Sequence, residues 1–213
     1  MLAGKFFVFL TVSLTSCLGL LAFFEAKLVQ EEGLVLFNTY SVLLLLWELK
    51  KYNLPGALPP QLVKLPHLQV VDFAYNYLSG TIPREWASMQ LTSITLLVNR
   101  LSGEIPKELG NITTLTYLSL EANQISGIIP PDLGKLINLQ TLMLSSNRFT
   151  GNLPVSFSGL INLTDLINDN NFSGTIPIFI QNWKKLERLE MHATGLEGPI
   201  PSNIYLLNNL VEL

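Results

Sequence analysis

The sequence has a single cysteine, Cys17, and only two histidines, His67 and His192, among 213 residues. One thiol cannot close a disulfide within the chain or assemble a cysteine-type zinc site. No serine or cysteine nucleophile is spaced to meet either histidine as a base. We therefore predict no catalytic residues, no metal and no cofactor.

A surplus of positive charge is also missing. The chain has 13 Lys and Arg against 16 Asp and Glu, which gives a formal net charge of −3. No run of five or more basic residues appears. Neutralising a phosphate backbone requires cationic side chains in excess, so the composition excludes nucleic acid as a partner.

A long apolar run opens the chain. Residues 6–24 carry no charge and follow Lys5, and as a helix they would extend about 28 Å, close to the hydrocarbon core of a bilayer. Ala22, with Gly19 three positions earlier, is the better cleavage site. We predict a signal peptide or signal anchor over residues 1–26, with a buried apolar helix as the third alternative. The first two place the protein in the secretory pathway, at the plasma membrane or outside the cell.

The next segment, 27–50, is harder to interpret. Its apolar part, Leu34–Trp47, is too short to cross a bilayer comfortably and is interrupted by Asn38. We interpret it as a packed helix or as an atypical leader to the domain that follows. Its function cannot be read from its composition.

The remainder, residues 51–213, repeats at intervals of 23 or 24 residues. The pattern Gly-x-Leu/Ile-Pro recurs, with its glycine at Gly56, Gly80, Gly103, Gly127, Gly151, Gly174 and Gly198. Four residues before the glycine stands an asparagine in five of the seven coils: Asn76, Asn99, Asn123, Asn147 and Asn170. Tyr52 and Thr194 replace it in the first and last coils.

Most coils contain an apolar triplet with the spacing Leu-x-x-Leu-x-Leu, as in Leu115, Leu118 and Leu120. This spacing turns alternate apolar side chains inward from a short strand, and coils stacked about 4.8 Å apart pair those strands into a parallel sheet. The asparagine amide can satisfy backbone groups where the chain leaves the strand, so we predict a structural ladder of stacked asparagines. The coil of Asn170 is one residue short after Leu166, which predicts a bulge or register shift there.

The segment from Leu115 to Pro130 resembles the plant-type leucine-rich-repeat consensus almost letter for letter. The stretches NYLSGTIPREWASMQ, NRLSGEIPKELGNITTL and FIQNWKKLE resemble the ectodomains of plant leucine-rich-repeat receptor-like serine/threonine kinases of the kind that also carries a malectin-like domain. The resemblance implies an α/β-type, right-handed superhelix of about seven coils with a parallel sheet on its concave face. The family's malectin-like module, membrane span and kinase are not found in this sequence, so we predict no enzyme activity.

Two features depart from that family. Its solenoids open with a capping segment that contains paired cysteines, whereas residues 27–50 contain none. At the other end, Leu210 and Leu213 begin a further strand without a polar closing repeat. We therefore expect a solenoid truncated at its C-terminus.

The resemblance implies a ligand-recognition module, with a protein, peptide or cell-wall ligand on the concave face and a co-receptor as a further partner. Membrane contact would come only from the N-terminal segment or a missing C-terminal span. Two alternatives are a secreted inhibitor resembling the polygalacturonase-inhibiting proteins and a truncated product without independent activity. The candidate ligand-binding residues are Asp72, Tyr75, Thr95, Tyr117, Glu121, Met143, Ser145, Arg188, Glu190 and His192.

Three Asn-x-Ser/Thr sequons stand at Asn111, Asn162 and Asn171. In a secreted protein such sites accept N-linked glycans. We predict glycosylation at Asn111 and Asn162 ahead of Asn171, which stands beside the ladder residue Asn170.

Overall fold

The computed structural model describes residues 45–167, 169–191 and 194–213. The signal or anchor expected over 1–26, with its apolar helix, lies outside the described residues, as does most of the 27–50 segment. Within the described part of the chain, no helix is both long enough and apolar enough to cross a membrane.

The described residues form a solenoid whose coils each contribute one strand to a seven-stranded parallel sheet. The strands pair in the order in which the coils follow one another. Their bounds are β1 Leu45–Glu48, β3 Leu68–Asp72, β5 Ser93–Thr95, β7 Tyr117–Ser119, β9 Thr141–Met143, β11 Asp165–Ile167 and β12 Arg188–Glu190.

Strand β1 corrects our interpretation of the segment before residue 51. Leu45–Glu48 pairs in parallel with β3, with Trp47 opposite Val71, and the following Leu49 is buried. The 34–47 stretch, which we interpreted as a packed helix or a leader, therefore ends in a strand of the solenoid. The repeat period explains this, because Trp47 and Leu49 stand 24 residues before the equivalent core positions of the next coil.

The core is a set of apolar columns that run from coil to coil. The central strand residue of each coil lies opposite its equivalent in the next, so that the side chains stack in register: Val71, Ile94, Leu118, Leu142, Leu166 and Leu189. All of them are essentially inaccessible to water. Burying one such side chain contributes about 1.5–3 kcal/mol, and the neighbouring coil supplies most of the cover.

After the bend, the first five coils enter a second sheet that the sequence analysis did not predict. Among the described residues it has five parallel strands: β2 Pro55–Ala57, β4 Tyr77–Gly80, β6 Arg100–Gly103, β8 Gln124–Ile128 and β10 Arg148–Thr150. The repeated glycine is required at this sheet. Gly151, for example, has φ 76°, and a Cβ there would come within 2.9 Å of the Ile128 methyl group.

The helical segments of the described coils are all short 3₁₀ helices, where an α/β-type repeat was expected. Each begins directly after the proline of the repeat and spans five residues, because the next strand leaves no room for a longer helix. Their bounds are η1 Pro60–Lys64, η2 Arg84–Ser88, η3 Lys107–Asn111, η4 Pro131–Lys135, η5 Val155–Gly159, η6 Ile178–Asn182 and η7 Ser202–Leu206.

The bend between the two sheets is held by the repeated asparagine. The Asn123 Oδ1 accepts a hydrogen bond from the Leu101 N–H of the preceding coil at 3.0 Å. Its Nδ2 donates to the Leu96 carbonyl of that coil at 2.9 Å and to the carbonyls of Leu120 and Glu121 in its own coil. Asn76, Asn99 and Asn147 repeat the whole pattern, and Asn170 bonds Phe149 N–H and the Leu144 carbonyl.

The short coil keeps its strand register. Leu166 lies opposite both Leu142 and Leu189, so the sheet continues through β11 without a shift. In the longer coils a left-handed residue precedes the ladder asparagine: Tyr75, Val98, Ala122 and Ser146 have φ between 54° and 58°. In the longer coils, the carbonyl of the residue before the left-handed one accepts a hydrogen bond from an N–H of the preceding coil. In the short coil the Asp169 carbonyl accepts from Ser146 N–H in the same way, but the next residue is already Asn170. The missing residue is therefore the left-handed one.

Replacing Asn123 by Ala should destabilise the fold by about 2–4 kcal/mol, because buried backbone groups, each costing about 1–3 kcal/mol when unpaired, lose their partner. The matched control is Asn138→Ala, since Asn138 is exposed and donates a single bond to the Thr113 carbonyl. Urea denaturation of both variants measures the difference. Equal destabilisation by the two changes would contradict a structural ladder.

Replacing Val98 by Asn should stabilise the protein by about 0.5–1 kcal/mol. A left-handed residue with a Cβ costs about 1–2 kcal/mol, most for a β-branched side chain, whereas Asn tolerates this conformation. Val98→Thr keeps the branch and should give no gain. Thermal melts of the two variants check this, and a Thr variant as stable as the Asn variant would show that backbone strain is not the cause.

Candidate functional site

The outward side of the seven-stranded sheet carries two rows of side chains, fixed by the strand register. We call these rows together the sheet face. The first row contains Val70, Ser93, Tyr117, Thr141, Asp165 and Arg188. The second contains Asp72, Thr95, Ser119, Met143 and Glu190. Six of the candidate ligand-binding residues therefore lie on one continuous surface.

The other candidate residues lie in the bend beyond the strands. Tyr75 is exposed there and Glu121 is half-buried. Ser145 is only 6% exposed, and its hydroxyl has no hydrogen-bond partner among the described residues. Ser119 is also buried although it occupies an outward row, because larger neighbours cover so small a side chain. His192 lies outside the described residues.

The middle of the sheet face is formed by Tyr117 and Met143. The Tyr117 hydroxyl on β7 lies 3.5 Å from the sulfur of Met143 on β9, the neighbouring strand of the sheet. Burial raises the pKa of Tyr117, and the negative charges of Glu121, Asp72 and Asp165 raise it further. The phenol therefore stays protonated and remains a hydrogen-bond donor at neutral and mildly acidic pH.

Carboxylates surround this aromatic centre. Burial raises the pKa of Glu121, and the charge of Glu190 adds to the effect. Both causes oppose ionisation, because burial and a further negative charge each disfavour the charged form of a carboxyl group. The region around Tyr117 therefore has a negative potential, which favours cationic groups in a ligand.

The sequence analysis missed one polar cluster on the sheet face. Arg188 Nε donates to Asp165 Oδ1, and the Thr164 hydroxyl donates to Asp165 Oδ2 at 2.7 Å. Burial acts to raise the pKa of Asp165, but these hydrogen bonds and the positive charge of Arg188 outweigh it and hold the pKa below its ordinary value. The signal was available, since Asp165 occupies the repeat position of Tyr117 and Thr141.

The three sequons differ in accessibility. Asn111 and Asn171 are exposed. Asn162 is half-buried: its Nδ2 donates to the Ile137 carbonyl at 2.8 Å and its Oδ1 accepts from Lys185 at 2.7 Å. Exposure therefore favours Asn111 and Asn171, a different order from the one expected. Glycosylation at any of them stays a prediction.

No group of three or more His, Cys, Asp or Glu side chains within residues 45–167, 169–191 and 194–213 could hold a metal ion.

Comparison with known families and relatives identifies the repeat. The Leucine Rich Repeat family model matches residues 67–89, 114–136 and 138–160. Two probable leucine-rich-repeat receptor-like serine/threonine-protein kinases of Arabidopsis thaliana are 53% identical over 67 residues and 57% identical over 68. The matched stretch is 32% of this chain, and the chain spans only about 7% of the length of these relatives.

Solved structures extend the likeness over three quarters of the chain. The ectodomain of the Arabidopsis membrane receptor kinase GASSHO1/SCHENGEN3, in complex with CASPARIAN STRIP INTEGRITY FACTOR 2, matches with a TM-score of 0.74 at 35% identity over 75% of this chain and 20% of its own. The Arabidopsis receptor kinase HAESA, in complex with the peptide hormone IDA and the co-receptor SERK1, matches with a TM-score of 0.71 at 36% identity over 75% and 27%.

These findings define the class of protein as a leucine-rich-repeat solenoid. Its homologues are plant leucine-rich-repeat receptor-like serine/threonine kinases, and its structural neighbours are plant receptor kinase ectodomains, which confirms the resemblance. The matches fall on ectodomains and indicate no catalytic domain. A plant ice-binding protein also matches, with a TM-score of 0.54 at 30% identity over 67% of this chain and 55% of its own, so the fold alone does not fix the function.

Replacing Glu190 by Gln should lower the pKa of Glu121 but leave it above the ordinary value of 4.5, because burial is the larger cause. A raised pKa means that ionised Glu121 destabilises the fold, a penalty present at neutral pH and absent once pH falls below the unfolded value. Carboxyl NMR titration measures the shift, with the exposed Glu104→Gln as control. An unchanged pKa in the Glu190 variant would show that the two carboxylates do not interact.

Proposed function

We propose that this chain is an extracellular ligand-recognition module that binds an extended peptide along the sheet face. In this proposal, the sheet face is the concave surface of a right-handed superhelix. The observation that carries the proposal is the continuous double row of outward side chains centred on Tyr117 and Met143. The complexes of GASSHO1/SCHENGEN3 and HAESA support it, since the HAESA ligand is a peptide hormone.

The dimensions of the face suit a short peptide. Strands β3 to β12 extend about 24 Å at a spacing of about 4.8 Å, and an extended peptide rises about 3.3 Å per residue. About seven ligand residues would therefore cross the face. Such a peptide would meet separate side chains on successive coils, which is how a repeat surface reads an extended ligand.

The chemistry of the face suggests what the peptide contains. Arg188 is already paired with Asp165, whereas Glu121 and Glu190 have no ion-pair partner among the described residues. A lysine or arginine of the ligand would relieve the repulsion between those two carboxylates. An apolar or aromatic ligand residue would pack on Tyr117 and Met143, the kind of side chains that contribute most to binding.

The site of action follows from the relatives. We propose that the module acts outside the cell at the plasma membrane, because GASSHO1/SCHENGEN3 is a membrane receptor kinase and the match falls on its ectodomain. A co-receptor is the second proposed partner, by analogy with SERK1 in the HAESA complex.

A selection experiment tests the proposal on the full chain. Peptides selected from a random displayed library should be enriched in Lys or Arg, and calorimetry should show at least tenfold weaker binding to Tyr117→Ala and Glu121→Gln. The control is Tyr205→Ala, because Tyr205 is a solvent-accessible tyrosine on η7, on the helical side of the coil and away from the sheet face. Peptides that bind all four proteins equally, or a selection that yields none, would contradict binding on the sheet face.

A further inference from the structure

A second surface lies at the bend between the two sheets. It is formed by exposed cations and tyrosines from the coils of the first part of the solenoid, and we call it the basic edge: Lys50, Lys51, Tyr75, Tyr77, Arg100 and Arg148. None of these four cations belongs to the proposed peptide contacts. The cations of the basic edge therefore form a surface separate from the proposed peptide contacts.

The repeat aligns these side chains. Tyr77, Arg100 and Arg148 each directly follow a ladder asparagine, and each is the first residue of its strand in the five-stranded sheet. Equivalent positions in neighbouring coils lie about 4.8 Å apart, so Arg100 and Arg148, two coils apart, are separated by about 10 Å. Gln124 occupies the coil between them. The edge thus presents two arginines at equivalent positions, with an uncharged residue between them.

Three of the four edge cations lie over aromatic rings, and within the described residues none of the four forms an ion pair with a carboxylate. The Arg100 guanidinium lies 4.7 Å from the centre of the Tyr77 ring. Lys50 and Lys51 place their ammonium groups 5.5 Å and 5.3 Å from the Tyr75 ring. Stacking on a ring orients a cation without neutralising it, so the charge stays available to an anion.

Ion pairs within the described ranges lie elsewhere. They join Arg84 to Glu85, Lys135 to Asp132 and Arg188 to Asp165. Acids near the edge are Asp72 in the coil of Tyr75, Glu104 in the coil of Arg100, and Glu121 and Asp169 in neighbouring coils. Within the described residues none of them forms an ion pair with an edge cation.

The backbone at this edge has little left to offer a ligand. Tyr77 N–H donates to the Leu54 carbonyl at 2.9 Å, and Tyr75 N–H donates to the Leu97 carbonyl at 2.8 Å. The asparagine ladder occupies further carbonyls, as described above. A peptide recognised by main-chain hydrogen bonds would find few partners there. Recognition at the basic edge must come from charge and from ring contact.

We propose that the basic edge binds a linear acidic polysaccharide of the uronate type. Such a polymer carries one carboxylate on every sugar, so successive sugars can meet the separate cations of the edge. The C–H face of a sugar ring can pack on the side of the Tyr77 ring that Arg100 does not cover. An acidic peptide offers the charge but not the sugar faces, so the tyrosines favour the polysaccharide.

Binding of the full chain to polygalacturonate, measured by biolayer interferometry, tests the proposal. Wild type should bind, with affinity falling at least tenfold between 50 and 300 mM salt because surface charges are screened. The double change Arg100→Gln with Arg148→Gln should weaken binding at least tenfold, and Tyr77→Ala should weaken it severalfold. Arg84→Gln is the matched control, since Arg84 is an exposed arginine on η2 and already faces Glu85.

Two further polymers make the test specific. Fully methyl-esterified polygalacturonate, which lacks the charge, should not bind, and polyglutamate should bind at least tenfold more weakly than polygalacturonate. If the arginine pair fails to fold, as judged by its thermal melt, Lys50→Gln with Lys51→Gln replaces it. No binding at 50 mM salt, equal loss in the Arg84 control, or binding to polyglutamate as tight as to polygalacturonate would overturn the proposal.

Discussion

At five successive bends of this solenoid, one asparagine amide replaces the hydrogen bonds that the chain gives up when it leaves the seven-stranded sheet. The amide has both a donor and an acceptor, so it bonds the coil before it and its own coil at once. Within the described residues, this amide is the polar group that ties adjacent coils together most regularly. The apolar columns supply most of the stabilisation through non-directional contacts, whereas the hydrogen bonds of the amides are directional. The ladder gives the coils a fixed rotation relative to one another, and the positions of all outward side chains follow from it.

Two surfaces depend on that fixed stacking. The sheet face aligns Tyr117, Met143 and the carboxylates around them because each strand lies in register with the next. The basic edge aligns Tyr77, Arg100 and Arg148 because each follows a ladder asparagine. The two surfaces have opposite charge and meet at the bend. One chain can therefore present a negative face to a cationic peptide and a positive edge to an anionic polymer, with the same backbone scaffold supporting both.

The sequence predicted the parts of this structure that repeat and missed the parts that do not. The pitch, the buried leucine columns and the asparagine positions recur in coil after coil, so the residues alone indicated them. The strand at Leu45–Glu48 was missed because Tyr52 replaces the asparagine that marks later coils. Asp165 was missed because its coil is one residue short. The burial of Ser119 and Ser145 depends on the size of their neighbours, which the alternation of apolar and polar residues along a strand does not indicate. The second sheet and the 3₁₀ helices follow from loop geometry too local for an apolar pattern to record.

The central claim, that asparagine amides lock each coil to the one before it, is tested most directly by native-state hydrogen exchange. The amides to follow are those that donate to a ladder oxygen, namely Leu54, Leu78, Leu101, Ile125 and Phe149. If the ladder holds the coils, these five amides exchange only through global unfolding, with the protection of the buried strand amides. Exchange at the rate of exposed loop amides, with the strands still protected, would contradict the account.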